Sequence, residues 1–250
     1  MTTTINPKEI TQFQKDSRHW WDENGPFAPL HALNPVRMSF IRDTICKHIT
    51  TTNKQGPTKP LSGLKILDVG CGGGLVCEPL ARMGGEVTGI DADEQAISVA
   101  TAHANQSGLD IKYYATSIED FRKQNKKSQF EVITALEIIE HVDHPELFIS
   151  ELVKLLKPDG ILIISTLNRT MKSWALGIIA AEYILGWVPV GTHDWKQFIK
   201  PSQLAHMLKA CKMRPIAASG LSFNPKTRDF YLAPHNLDVN YLMAFCPQKT

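Results

Sequence analysis

Between residues 64 and 166 the chain alternates short apolar runs with stretches of helical period. The runs at 64–69, 86–91, 111–115, 130–136 and 161–166 predict strands, being short, apolar and bounded by turn residues. Between them, the patterns at 75–83, 94–106 and 146–156 predict helices. Repeated strand–helix–strand units imply an α/β fold, a parallel sheet covered by helices on both faces. Residues 1–60 read as helical and amphipathic in parts, ending in the polar run Thr50-Thr51-Thr52-Asn53-Lys54-Gln55-Gly56-Pro57, which cannot sustain a period and predicts a loop. Beyond 166 come an apolar, helix-like stretch at 173–188, a helix at 202–210 and strands near 216–223 and 239–246. The expected organisation is one domain, with a helical cap (1–60), a ligand-binding core (61–170), a helical insertion (171–210) and C-terminal strands (211–250). No internal repeat is visible.

Composition narrows the function classes. At 250 residues the chain is long enough for one large domain, and 43% hydrophobic with 21% charged residues is an ordinary globular balance. Lys and Arg number 27 against 25 Asp and Glu, with no dense basic block, so no nucleic-acid partner is expected. Five scattered cysteines without a CxxC pair argue against a disulfide framework or a zinc site, and suit a reducing cytosol. The opening Met1–Ile10 lacks the apolar core of a secretory signal and the Arg-rich character of a transit peptide.

The strongest local signal is Leu67-Asp68-Val69-Gly70-Cys71-Gly72-Gly73-Gly74-Leu75, directly after the first strand. Glycines there let the backbone turn tightly and approach a ligand without a Cβ in the way. A dinucleotide loop wants glycine at the sixth position, and here that position is Leu75, which points to a nucleoside ligand without a pyrophosphate. The second strand ends in Asp91, where a carboxylate can accept from both hydroxyls of a ribose. A plain strand–turn–helix packed through glycines is the bland alternative, and loop and acid together argue against it.

Loop and acid together resemble the class I S-adenosylmethionine-dependent methyltransferases. That resemblance implies a Rossmann-like sheet of seven strands, the last antiparallel. It implies that Asp68, Gly70 and Gly72 with the neighbouring backbone serve the methionyl part of S-adenosylmethionine, and that Asp91 holds its ribose. Ser117 and Ile118 fall where the family contacts adenine, and Leu136 where a backbone group meets the methionyl amine. Rarer strings run outside this core: Arg18-His19-Trp20-Trp21-Asp22, Pro29-Leu30-His31, Asn34-Pro35-Val36-Arg37, Glu137-Ile138-Ile139-Glu140-His141-Val142, Ser165-Thr166-Leu167-Asn168-Arg169 and Gly191-Thr192-His193-Asp194. From about residue 10 to 241 they resemble the ubiquinone-biosynthesis O-methyltransferases. That family methylates phenolic or catecholic hydroxyls of polyprenylated rings, at 2-polyprenyl-6-hydroxyphenol and 3-demethylubiquinol. The resemblance with no targeting extension implies a bacterial, cytoplasmic enzyme at the inner membrane, with other enzymes of that pathway as partners.

Arg37, alone, reads as a surface cation on a helix opening after Pro35. The resemblance makes it the partner of the cofactor's carboxylate, a role that suits a guanidinium fork. Of Trp20 and Trp21, one is expected in the core and the other as a wall of the site. A phenol with a pKa of about 10 must lose or share its proton to attack the sulfonium methyl. Glu137, Glu140 and His141 stand at i, i+3 and i+4, one face if the segment is helical. Two mechanisms fit: a divalent cation held by the carboxylates as Lewis acid, or His141 as general base. The resemblance implies magnesium ligated by Glu137, Glu140 and His141, although imidazole is an unusual ligand for so hard an ion. A solvated helix N-terminus rich in acids is the structural alternative. His193 and Asp194 are second candidates for substrate contact, and Cys71 reads as a small packing residue rather than a nucleophile. The stretch 171–190, with Trp174, Tyr183 and Trp187, is expected to lie on a membrane surface, because it is too short and interrupted to span one. A methyltransferase for another small lipid or metabolite, an NAD-dependent oxidoreductase and a non-catalytic member of a membrane assembly are the competing readings.

Overall fold

A computed structural model of the chain describes residues 16–49, 58–126, 129–175, 195–227 and 229–248, together with 3–6, 10–11 and 14 near the N-terminus. Residues 176–188 of the predicted helix, most of the membrane-facing stretch, His193 and Asp194 therefore lie outside the described residues. Eight strands form one sheet: β1 (Lys65–Val69), β2 (Glu86–Asp91), β3 (Lys112–Ala115), β4 (Phe130–Leu136), β5 (Leu156–Leu167), β6 (Met213–Asn224), β7 (Asp229–Ala233) and β8 (Asn240–Pro247). Their spatial order is β3-β2-β1-β4-β5-β8-β6-β7. The first five pair in parallel, whereas β8 runs antiparallel between β5 and β6. The sheet thus has one strand more than expected, because β7 folds back on β6 as a hairpin.

Among the described residues the helices of six residues or more are α1 (Ala28–His48), α2 (Cys77–Arg82), α3 (Glu94–Gln106), α4 (Ile118–Gln124), α5 (Pro145–Leu155) and α6 (Pro201–Ala210). Strands buried on both faces need apolar residues on both, which is why Ile66, Leu67, Val132, Ile133 and the run Ile161–Ile164 are nearly solvent-free. Two cores result. One packs α4, α5 and α6 on one face through Phe121, Phe148, Leu152 and Leu204. The other packs α1 and α2 on the opposite face through Ile41, Ile45 and Leu80. Contrary to the expectation from Pro35, α1 opens at Ala28, and Pro35 lies inside it at the cost of one backbone hydrogen bond.

Candidate active site

The strand order turns around between β1 and β4, and a parallel sheet opens a crevice at the carboxyl ends of strands at such a point. The residues singled out from sequence gather there. Gly70 follows β1, Asp91 ends β2, Leu136 ends β4, and Ser117 with Ile118 opens α4 after β3. Gly70, Gly72 and Gly74 have φ of 73°, 51° and 87°, a left-handed backbone that a side chain would strain. The loop is also crowded: a Cβ on Gly70 would stand 2.3 Å from Ile138 Cδ1. The Gly70 and Cys71 N–H groups donate to the Ile90 carbonyl, tying the loop to β2.

Asp91 braces that loop. Its Oδ2 accepts from the Gly72 N–H at 2.9 Å and its Oδ1 from the Asp93 N–H at 2.9 Å. Each carboxylate oxygen keeps a second lone pair, so two ribose hydroxyls still find acceptors. Asp68 is buried deeper, accepting from Thr134 Oγ1 at 2.6 Å and from the Cys77 thiol at 3.3 Å. Burial pushes its pKa up to about 6, those two hydrogen bonds and Arg37 opposing. Ser117 uses its side chain to cap α4, accepting from the Asp120 N–H, and Ile118 is buried against the sheet.

Arg37 is not a surface cation. It is 5% exposed, and its Nε and Nη2 have no hydrogen-bond partner among the described residues. Burial pulls its pKa down, and the charges of Glu137, Asp68 and Glu140 oppose that. A buried guanidinium with two unused N–H groups fits a bidentate carboxylate, such as the methionyl carboxylate of S-adenosylmethionine.

The second half of the site is acidic, and here the helical spacing does not hold. Glu137 has φ of 52°, outside any right-handed helix, and only Ile139–His141 forms a 3-10 turn. Glu137, Glu140 and His141 therefore do not stack on one helical face. Glu137 Oε1 accepts from Ser165 Oγ at 2.5 Å, and its Oε2 from Asn240 Nδ2 at 3.1 Å. Glu140, nearly solvent-free, accepts from Thr166 Oγ1 at 2.8 Å. Burial first, then the neighbouring Glu137 charge, pushes Glu140 up to about 7. Among the described residues no group of three or more His, Cys, Asp and Glu side chains gathers as metal ligands would. This arrangement gives no support to the expected magnesium cage of Glu137, Glu140 and His141. The carboxylates answer instead to hydroxyls and an amide.

Sequence reasoning singled out Ser165 and Thr166 only as part of a rare string and did not name Asn240; their pairing with the carboxylates is what it missed. Ser165, Thr166 and Asn240 are short polar residues at strand ends, and two of them interrupt an otherwise apolar run (Ile161–Leu167). That interruption was the available signal. Beside Glu140 opens a cleft of about 710 Å³, walled by Ile139 and Val142 on one side and Phe198, Ile199 and Met207 on the other. Arg169 stands at its rim, donating to Gln203 Oε1 at 2.8 Å.

A family model described as a methyltransferase domain matches residues 60–211. The ubiquinone biosynthesis O-methyltransferase of Bartonella bacilliformis is 45% identical over 241 residues, 96% of this chain and 95% of the relative. That of Idiomarina loihiensis is 46% identical over 240 residues, 96% of this chain and 93% of the relative. Among solved structures, magnesium protoporphyrin IX methyltransferase from Synechocystis with bound SAM superposes with a TM-score of 0.60. It does so at 14% identity, covering 99% of this chain and all of that one, a likeness of fold alone.

Proposed function

The chain belongs to the ubiquinone biosynthesis O-methyltransferase family, and on that premise we propose that it methylates phenolic and catecholic hydroxyls of polyprenylated rings, with Glu137, Glu140 and His141 managing the hydroxyl proton. It is an S-adenosylmethionine-dependent O-methyltransferase. The bound cofactor supplies an electrophilic methyl on a sulfonium. Their placement supports the following roles for the chain's residues. Arg37 receives the methionyl carboxylate, the Gly70–Gly72 backbone bears against the methionyl chain, and Asp91 receives the ribose hydroxyls. Ser117 and Ile118 border the adenine, and the Leu136 backbone meets the methionyl amine.

The observation that carries the acceptor side is the pair Glu137–Glu140 at the end of β4, next to the cleft. A buried carboxylate facing a second one is held near neutrality, where it can take a proton from a phenol in the transition state. As the phenolic oxygen gains the methyl that the bound cofactor would supply, the acid pair takes its proton. Ser165, Thr166 and Asn240 hold both carboxylates in register for that transfer. The cleft walled by Ile139, Val142, Phe198 and Met207 takes the apolar part of the ring, a 2-polyprenyl-6-hydroxyphenol or a 3-demethylubiquinol. A prenyl tail stays in lipid, so a peripheral approach to the membrane belongs to the same proposal. Met171 and Trp174, apolar residues 69% and 40% exposed just beyond β5, support that approach.

The test is methyl transfer from labelled S-adenosylmethionine to a demethylated quinol. Glu140→Gln should lower kcat by about a hundredfold or more, with cofactor affinity changed less than threefold, as for loss of a proton acceptor. Equal loss of cofactor binding would move Glu140 out of the acceptor site. Turnover abolished by a chelator and restored by magnesium would replace proton acceptance with metal activation.

A further inference from the structure

Trp20 and Trp21 are the sequence feature that the site described above leaves unused. They follow the 3-10 turn Ser17–His19 and lie over the glycine loop. A Cβ on Gly72 would stand 2.4 Å from Trp20 Cζ2, and one on Gly73 would stand 2.4 Å from Trp20 Cγ. The indole thus presses on loop backbone at a distance that only glycine permits. Its ring stacks on Phe27, centroids 3.9 Å apart and 7° from parallel. Its Nε1 is buried and has no acceptor among the described residues. Buried indole N–H groups are normally paired, so an orphan beside a ligand loop marks where an acceptor from outside the chain belongs.

Trp21 fastens the same segment from the other side. Its Nε1 donates to the Gly73 carbonyl at 2.9 Å, and its ring stacks on His103 with centroids 3.5 Å apart. His103, on α3, has Nδ1 2.6 Å from Glu78 Oε1, and Glu78 is buried on α2. Loop, α2 and α3 are thereby joined to the Trp pair by stacking and hydrogen bonds. His103 and Glu78 lie on the helices rather than among the residues assigned to cofactor or acceptor.

We propose that Trp20 is a further cofactor-binding residue, whose indole N–H donates to an acceptor atom of S-adenosylmethionine, and that Trp21 positions it, latched by the stack on His103. This rests on the S-adenosylmethionine assignment and not on the identity of the methyl acceptor. Calorimetry with S-adenosylhomocysteine tests it without any turnover. Trp20→Phe keeps a ring against Phe27 and the glycine loop and removes the donor. Its affinity should fall about fivefold, the scale of one neutral hydrogen bond, with the thermal midpoint little changed. His103→Ala and His103→Phe both remove the imidazole from Glu78 Oε1 while Arg82 stays on Oε2, but only the second restores a ring on Trp21. Affinity should drop in the Ala variant and recover to within about twofold of the parent in the Phe variant. In steady state the KM for S-adenosylmethionine should rise by a larger factor than kcat falls. Parental affinity in Trp20→Phe would overturn the donor role. Parental affinity in His103→Ala, or no recovery in His103→Phe, would overturn the latch. A parent that takes up no S-adenosylhomocysteine would remove the cofactor assignment and this inference together, whereas binding by parent and variants alike removes this inference alone.

Discussion

At the scale of single residues, the site depends on charges placed where water cannot reach them. Arg37 has two unused guanidinium N–H groups in a dry setting, an arrangement whose cost is offset when a carboxylate arrives. Arg37→Lys keeps the charge but loses the fork, so affinity for S-adenosylhomocysteine should fall about tenfold or more, at roughly 1.5–3 kcal/mol for a charged hydrogen bond. Calorimetry checks this, and an unchanged affinity would return Arg37 to a packing role. Asp68 makes a pH prediction. Its pKa rises from 3.8 unfolded to about 6 folded, chiefly through burial. The unfolded chain therefore releases that proton first, and folding loses stability as pH climbs from about 4 to about 6. The loss is of order 2–3 kcal/mol, and Asp68→Asn should flatten this part of the profile in urea titrations at pH 4 and pH 7, roughly as the linkage relation gives. A parent whose stability rises throughout that window would contradict the burial argument.

At the scale of elements, Gly220 shows how one position in β6 sets the active-site side. A Cβ there would stand 1.7 Å from the Asn236 carbonyl oxygen, so the 234–239 loop can lie on β6 only over a glycine. That loop meets the chain after β5, with Asn168 Nδ2 donating to the Leu237 carbonyl and Thr170 Oγ1 to the Asp238 carbonyl. It leads straight into Asn240, which holds Glu137. Gly220→Ala should push the loop away, costing about 1–3 kcal/mol of stability, as overpacking does. It should also lower kcat while leaving cofactor affinity intact. Denaturation and calorimetry on the same sample separate the two effects. The mostly exposed edge strand β3 rested on its turn-bounded shortness alone. The inner parallel strands β1, β4 and β5 were legible because burial on both faces writes a nearly continuous apolar run. Edge strand β7 was not, since half-exposed Phe230 and Leu232 alternate with Tyr231 and give no such run. Helix α4 was missed for a related reason: seven residues with Ile118 and Phe121 facing inward are too short for a period. The glycine loop and the acid that braces it, the proposed cofactor half of the site, were legible because backbone geometry forces glycine and an acid into fixed places. The acceptor half was only partly so. Its carboxylates stood out, but the left-handed turn at Glu137 broke the helical spacing, and Asn240, so far along the chain, reaches Glu137 only through the sheet.

At the scale of the whole molecule, the sheet presents one working edge, and the features near it differ in chemistry. No helix among the described residues is long and apolar enough to cross a membrane. Met171 and Trp174 nonetheless stand exposed beside the chain that leaves β5, with Lys172 paired to Asp238 between them. They are the exposed apolar residues on which the proposed lipid contact rests. Met171→Asp with Trp174→Asp should cut flotation with anionic phospholipid vesicles several-fold, as expected from losing interfacial apolar and aromatic contact. Its cofactor affinity should match the parent's. Absence of flotation by the parent on vesicles of any headgroup would remove lipid contact from the proposal. The position of β8 has a different kind of consequence. It is an inner strand, flanked by β5 and β6, yet the ribosome delivers it after every other strand described. While a nascent chain lacks it, β5 and β6 both present open hydrogen-bonding edges, the kind of surface that pairs with other chains. Asn240, the first residue of that strand, arrives with it, so the clamp on Glu137 can close only after the sheet has been made continuous. Synthesis thus leaves the proposed acceptor half of the site to be finished last, as the same event that hides the strand edges from the rest of the cell.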